Sequence, residues 1–290
     1  MRFITTCITI TFLLNMVSAQ ASDMDNARLA AVAQQEEQTL KARIGIAVID
    51  TGTSHVASYR GNERFPLNST HKALLCGMLL NEQEKGKLRL TERTQFDRAA
   101  LVTYSPVSEK FVAPADMSLQ QLCSAAISYS DNTAANLIAE KLGGPAAVTR
   151  FFAHLGDKVT RLDRHEPELN SAIPGDVRDT TTPLAISETL RKLTLGEALT
   201  PVSRAQLLQW MHDDKVADAL LRSVLPAGWR IADKTGAGEY GSRSIVSVVW
   251  PENGKPLIVS VYVTQTEATL AQSNAAIARI GKAIFAAVRQ

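Results

Sequence analysis

Four short runs in this chain hold the side chains that could do chemistry. Ser69 and Lys72 stand three residues apart, a spacing that puts both on one face if the segment is helical. A hydroxyl beside an amine at a helix N-terminus, where backbone N–H groups lack internal partners, is what a serine nucleophile with a basic helper needs. The same four residues also fit an N-capping serine followed by a solvated lysine. The other runs are Ser130-Asp131-Asn132, Glu166-Pro167-Glu168-Leu169-Asn170 and Lys234-Thr235-Gly236. Taken singly these read as a helix cap, a surface loop and a strand-to-turn transition.

The elements around these runs are legible from periodicity and caps. Thr70 to Glu84 has good helix formers and a near-continuous apolar run from Ala73 to Leu80. That pattern predicts a helix buried on all sides in the core of a large domain, stopped at Gly86. Asp23 to Leu40 predicts a helix, and Ala42 to Asp50 and His55 to Arg60 predict a hairpin across Thr51-Gly52-Thr53. From Asn62 to about Asp214 the pattern is helical. Ser118 with Gln121 forms a capping box, Asp131 caps the next helix, and Pro145, Pro183 and Pro201 occupy first-turn positions. Between Gly156 and Thr180 no periodicity emerges. Arg161, Asp163, Arg164, Glu166, Glu168, Asp176, Arg178 and Asp179 crowd that stretch, which predicts an ordered, internally tied loop. Strands return at Trp229–Lys234, Ser242–Trp250 and Leu257–Thr264, followed by an amphipathic helix over Leu270–Val288.

Strands at the two chain ends around a helical middle imply an α/β (α+β) protein with one five-stranded antiparallel sheet. Terminal helices flank the sheet and an all-helical lobe stands beside it. The expected division is 22–61 with 213–290 as the discontinuous α/β lobe and 62–212 as the all-α lobe. The cleft between them is the default site.

Composition narrows the function. The chain has 290 residues, 45% hydrophobic and 21% charged, with a formal net charge of +2. No basic block or acidic tail points to nucleic acid or an anionic membrane. Residues 1–21 read as a signal peptide: Arg2, an apolar stretch from Phe3 to Leu14, then small residues at Val17-Ser18-Ala19 or Ala19-Gln20-Ala21. The apolar stretch is too short to anchor in a bilayer, so an exported, periplasmic protein with no membrane contact after cleavage is expected. Cys76 and Cys123 then remain. In an oxidising compartment they could form a disulfide worth roughly 3–4.7 kcal/mol on the chain-entropy model, or stay as two buried thiols. The five histidines lack His-x-His or HExxH spacing, so neither zinc nor any other metal or cofactor is expected.

Together and in this order, the four runs resemble the class A serine β-lactamases, for which they are the recognised signature. The resemblance covers essentially the whole chain after residue 21. It includes the paired cysteines, Arg164-His165-Glu166-Pro167-Glu168-Leu169-Asn170, and Gly241-Ser242-Arg243. It implies hydrolysis of a β-lactam amide, chiefly in penicillins and some cephalosporins, by a monomer acting on a small molecule. Ser69 would be the nucleophile, Lys72 and Glu166 the candidate bases, and Ser130 the donor to the leaving nitrogen. The backbone N–H groups of Ser69 and Ala237 would form the oxyanion hole. Asn132, Asn170, Lys234, Thr235, Gly236 and Arg243 would bind substrate or its attacking water, with Glu239 beside them, and Arg164 and Asp179 would clasp the loop. In this family the Glu166–Pro167 bond is often cis.

Physical chemistry adds one expectation: positive charge from Lys234 close to Lys72 would lower the Lys72 pKa and let it accept a proton. His71 departs from the phenylalanine common inside Ser-x-x-Lys and reads as a tolerated side chain of aromatic size. Tyr240 and Ser244 also depart from familiar members and bear on substrate profile. Asn68 and Gly238 lack the extra cysteine pair of many class A carbapenemases, and Arg164 with Gly238 matches narrow-spectrum members. The alternatives are a DD-peptidase or penicillin-binding protein, which shares Ser-x-x-Lys and Lys-Thr-Gly, and a non-hydrolytic β-lactam sensor.

Overall fold

In the computed structural model, residues 14–288 are described, with side chains from Asn26 onward. Most of the expected signal peptide lies outside the described residues. Helix α1, Leu14–Leu40, begins earlier than the expected Asp23. It leads into β1 (Arg43–Asp50) and β2 (Val56–Tyr59). A two-residue strand β3 (Phe65–Pro66) precedes the buried helix α2 (His71–Glu84). Strands β4 (Arg93–Thr94) and β5 (Met117–Ser118) form a small ribbon before α3 (Leu119–Ser128), α4 (Asn132–Lys141) and α5 (Pro145–His154). Strand β6 (Thr180–Thr181) pairs with β3. Helices α6 (Pro183–Thr194) and α7 (Pro201–His212) close the helical block. Strands β7 (Arg230–Ala237), β8 (Arg243–Trp250) and β9 (Leu257–Thr264) and helix α8 (Leu270–Val288) complete the chain.

The sheet is antiparallel in the order β2-β1-β9-β8-β7. Its centre is the pairing of the two chain ends, with Arg43 opposite Thr264 and Asp50 opposite Leu257. Both faces are covered, which is why β8 and β9 are buried along almost their whole length. Alternate side chains serve two cores. Val246, Val248, Ile258 and Tyr262 face the helical block, whereas Ile245, Val249, Val259 and Val261 face α1 and α8. The outer layer is tied by Arg279 of α8, which grips Glu36 of α1 at 2.6 Å.

Local signals act where the sequence places them. Ser118 accepts from Gln121 N at 3.1 Å and Gln121 Oε1 accepts from Ser118 N at 2.8 Å, completing the box at α3. Asp131 caps α4 through Ala134 N, and Thr182 and Thr200 cap α6 and α7 ahead of their prolines. Gly86 ends α2 at φ +73°, a conformation that costs a glycine little. Ala73 through Leu80 is wholly buried in α2, and Cys76 is bonded to Cys123 with Cα atoms 5.8 Å apart, joining α2 to α3.

Candidate active site

Ser69 sits in a 3-10 turn, Asn68–Thr70, that runs directly into α2. The turn is held from both sides. Thr70 Oγ1 donates to Leu67 O at 2.5 Å and lies 3.0 Å from Tyr262 OH on β9. Asn68, at φ +44°, donates its side-chain amide to Ser242 Oγ at 3.1 Å; asparagine is among the few residues that tolerate this region. The Ser69 side chain caps nothing, so the N-capping reading falls. Its hydroxyl donates to Glu166 Oε1 at 3.3 Å.

Lys72 is fully buried one turn on. Its Nζ donates to Ser130 O at 2.8 Å and Asn132 Oδ1 at 2.5 Å, and pairs with Glu166 Oε1 at 3.0 Å. Burial pulls the Lys72 pKa down, with Glu166 and Asp131 opposing. The shift thus has the expected direction, but its main cause is desolvation, and Lys234 is not what drives it. Burial likewise pushes the Glu166 carboxyl up, but Lys72 and His71 and the hydrogen bonds from Lys72 and Asn170 outweigh it and hold the pKa low. His71 is itself buried, with Nδ1 2.7 Å from Asn68 O, and desolvation lowers its pKa.

Ser130 occupies the joint between α3 and α4 at φ +61°, with its Oγ accepting from Lys234 Nζ at 3.1 Å. Asn132 donates to Thr103 O at 2.8 Å, which fixes the amide oxygen toward Lys72. Glu166 is positioned from behind by Asn136, whose side chain accepts from Glu166 N at 2.9 Å and donates to Glu166 O at 2.8 Å. Asn170 donates to Glu166 Oε2, and the Glu166–Pro167 peptide is cis. Arg164 and Asp179 meet at 2.6 Å, and Asp179 Oδ1 also accepts from the backbone of Asp163 and Arg164. Asp163 returns the bond by accepting from Asp179 N at 2.9 Å.

Strand β7 forms the opposite wall. It runs past Lys234 to Ala237, further than the expected end at Lys234. A Cβ added to Gly236 would lie 2.9 Å from Asn68 Cβ and 3.1 Å from Ser69 N. Only a glycine lets the strand pass so close to the nucleophile's turn. Lys234 is fully buried and donates to Ser130 Oγ and Thr235 O. Burial lowers its pKa to about 8; Asp214 opposes, while Lys72 and Arg243 add to the fall. Arg243 lies on β8 opposite Ala237. Its Nη1 donates to Gly236 O at 3.1 Å and its Nε to Asn274 Oδ1 at 2.8 Å, and burial draws its pKa to about 10. Thr235 is buried beside it, whereas Ala237, Glu239 and Tyr240 are exposed at the rim. Glu239 N donates to Asn170 O at 2.9 Å, tying this rim to the loop.

The structure therefore gathers Ser69, Lys72, Ser130, Asn132, Glu166, Asn170 and Lys234 through direct hydrogen bonds, with Gly236 and Arg243 alongside. Among the described residues, no cluster of three or more His, Cys, Asp or Glu side chains is placed to hold a metal. Comparison with known proteins places the chain. The profile of the Beta-lactamase enzyme family matches residues 26–288. The chain belongs to the class A β-lactamases. It is 50% identical over 275 residues to Beta-lactamase AER-1 of Aeromonas hydrophila, covering 95% of this chain and 89% of that protein. It is 51% identical over 249 residues to Beta-lactamase CARB-3 of Pseudomonas aeruginosa, covering 86% of each. Among solved structures, an ancestral class A β-lactamase superposes with a TM-score of 0.88 at 49% identity, covering 89% of this chain and 99% of that one. The chromosome-encoded β-lactamase of Vibrio parahaemolyticus gives 0.88 at 46% identity, covering 90% and 99%.

Three contributors to this β-lactamase site are invisible to motif reading. Asn136 stands one helical turn beyond Asn132 on α4, so its position on the same face could have been found from spacing. Asn274 and Asp214 carry no sequence signal, because each reaches the site only through the tertiary fold.

Proposed function

We propose that this protein hydrolyses the β-lactam amide of penicillins and some cephalosporins and so confers resistance to them. The reading includes export to the periplasm after removal of residues 1–21 and action as a monomer without membrane contact. It divides the chain into an α/β lobe (22–61 and 213–290) and an all-α lobe (62–212), with the site between.

Ser69 Oγ attacks the lactam carbonyl carbon, and its proton passes to the Lys72–Glu166 pair. Ser69 Oγ and Lys72 Nζ both reach Glu166 Oε1, so one carboxylate oxygen links the nucleophile to both candidate acceptors. The carbonyl oxygen takes up negative charge between the N–H groups of Ser69 and Ala237; losing one such donor typically costs ~10²–10³ in rate. The C–N bond then breaks, and the nitrogen receives the Ser130 Oγ proton, which is replaced through Lys234, whose Nζ donates to that hydroxyl. Thr235 and the cations of Lys234 and Arg243 hold the substrate carboxylate, with Asn132 along the opposite rim. In the second half Glu166, aided by Asn170, takes a proton from water, which attacks the ester and frees Ser69. General-base help of this kind is worth ~10²–10⁴-fold.

The observation that carries the reading is one carboxylate oxygen reached by both the nucleophile and the buried lysine. Purified protein is expected to turn over benzylpenicillin and a chromogenic cephalosporin, in excess chelator as well. Stoichiometric acylation without turnover would instead identify a penicillin-binding protein or sensor. Glu166→Ala should still acylate, because Ser69 and Lys72 remain, and should accumulate a covalent adduct by intact-mass analysis. Wild-type deacylation in that variant would overturn the role given to Glu166.

A further inference from the structure

Behind the loop that carries Glu166 lies a second cavity of about 270 Å³, walled by the loop on one side and by the start of β1, β3 and the end of β9 on the other. Four guanidinium groups line it, those of Arg43, Arg64, Arg164 and Arg178, against the carboxylates of Asp176 and Asp179. The pairing inside this wall is incomplete. Arg164 is matched by Asp179, Arg178 by Asp176, and Arg43 by Glu63 outside the wall. Arg64 has no carboxylate partner among the described residues. It donates through Nη1 alone, to Val159 O and Thr180 Oγ1, both at 2.9 Å.

The donor count points the same way. Arg164 commits only Nε to Asp179, and Arg178 commits Nε and Nη2 to Asp176. Two nitrogens of Arg64, two of Arg164 and one of Arg178 thus keep open N–H groups. Those of Arg64 and Arg164 do not belong to the buried atoms that lack a partner and Arg178 is exposed, so all reach solvent. Guanidinium forks in this state match the planar oxygens of carboxylate and phosphate. We propose that this cavity binds a compact anion bearing two or more carboxylate or phosphate groups, bridging Arg64 on the sheet side to Arg164 and Arg178 on the loop. Occupancy would pin the loop to the sheet two residues before Glu166.

The probes are citrate and pyrophosphate, compared with acetate and sodium chloride at matched ionic strength, by thermal shift and titration calorimetry on the whole protein. Citrate, pyrophosphate or both should raise Tm saturably, while acetate gives no saturable rise. Arg64→Met should abolish the saturable rise, and Arg64→Lys, which keeps the charge without the fork, should weaken binding at least roughly tenfold. Arg243→Ala should leave it intact, because the substrate-carboxylate site is elsewhere. A rise that is linear in salt, that acetate reproduces, that survives in both Arg64 variants, or that is lost in Arg243→Ala would overturn the proposal. If Arg64→Met fails to fold, Arg64→Lys and Arg243→Ala still decide between the two sites.

Discussion

At the scale of single residues, burial sets the chemistry more than neighbouring charge does. Lys234 shows this most directly, since desolvation alone is the largest cause of a pKa near 8. Below that pH its ammonium is charged and can attract the substrate carboxylate; above it the charge is lost. Arg243, at about 10, stays charged through the same range. The alkaline limb of kcat/KM, which reports the free enzyme, should therefore begin near pH 8, with KM rising and kcat less affected. A limb starting only above pH 9.5 would mean that Lys234 keeps its proton in the free enzyme. His71 follows the same rule. Its imidazole is buried and disfavoured in the charged form, and its Nδ1 proton serves Asn68 O. His71→Phe should cost about 0.5–1.5 kcal/mol for the lost hydrogen bond, with kcat/KM unchanged between pH 6 and 8. Any movement of the acid limb should be upward, because His71 is among the groups that hold the Glu166 carboxyl low; a fall in kcat/KM within pH 6–8 would give His71 a larger part in catalysis.

At the scale of elements, the loop from Gly156 to Thr180 is the piece with least regular structure and most consequence. Its backbone is fixed by Asp179, which takes Arg164 and two amides at once. Asp179→Asn removes the counter-charge and leaves Arg164 partly buried without it, a loss of roughly 3–5 kcal/mol for a buried pair. Because Glu166 stands on this loop and Ser69 does not, deacylation should fail before acylation. Stopped-flow traces should keep a burst while steady turnover drops, and the loop should become the first site of limited proteolysis. Equal loss of both steps would place the damage outside the loop. How far these elements could be read beforehand follows from what encodes them. Caps at Ser118, Asp131, Thr182 and Thr200 are local, so they were legible, as were the five strands of the main sheet and the apolar run of α2; the two-residue strands β3 to β6 were not. The tight turn at Asn68–Thr70 was not, because its strained Asn68 is stabilised by Ser242, far away in sequence. Nor was the extension of β7 to Ala237, which depends on pairing with Arg243 across the sheet. The charged loop betrayed its clasp by composition, yet Asn136, its anchor to α4, lay beyond any motif.

At the scale of the whole molecule, the sheet separates two cores with different duties. Its inner face backs the nucleophile's turn through Tyr262 and the helical block through Val246 and Val248. Among the described residues, its outer face packs against α1, α8 and the short turn around Leu221, where Ile277, Ile280 and Phe285 are buried. No side chain of the reacting group belongs to that outer core. Damage there should consequently appear in stability and leave the chemistry alone. Ile280→Ala removes a fully buried side chain and should cost roughly 2–5 kcal/mol, lowering Tm by about 5–15 °C. At 20 °C, where the variant remains folded, kcat and KM for benzylpenicillin should match the wild type. Gly236→Ala makes the converse case, since its added methyl meets Asn68, Ser69 and Ser244 on the reacting side; it should depress kcat/KM out of proportion to any fall in Tm. Measuring Tm and kcat/KM for the pair tests the separation directly. If Ile280→Ala lowers kcat at 20 °C as steeply as it lowers Tm, the sheet transmits outer-core packing to Ser69 and the two cores act as one.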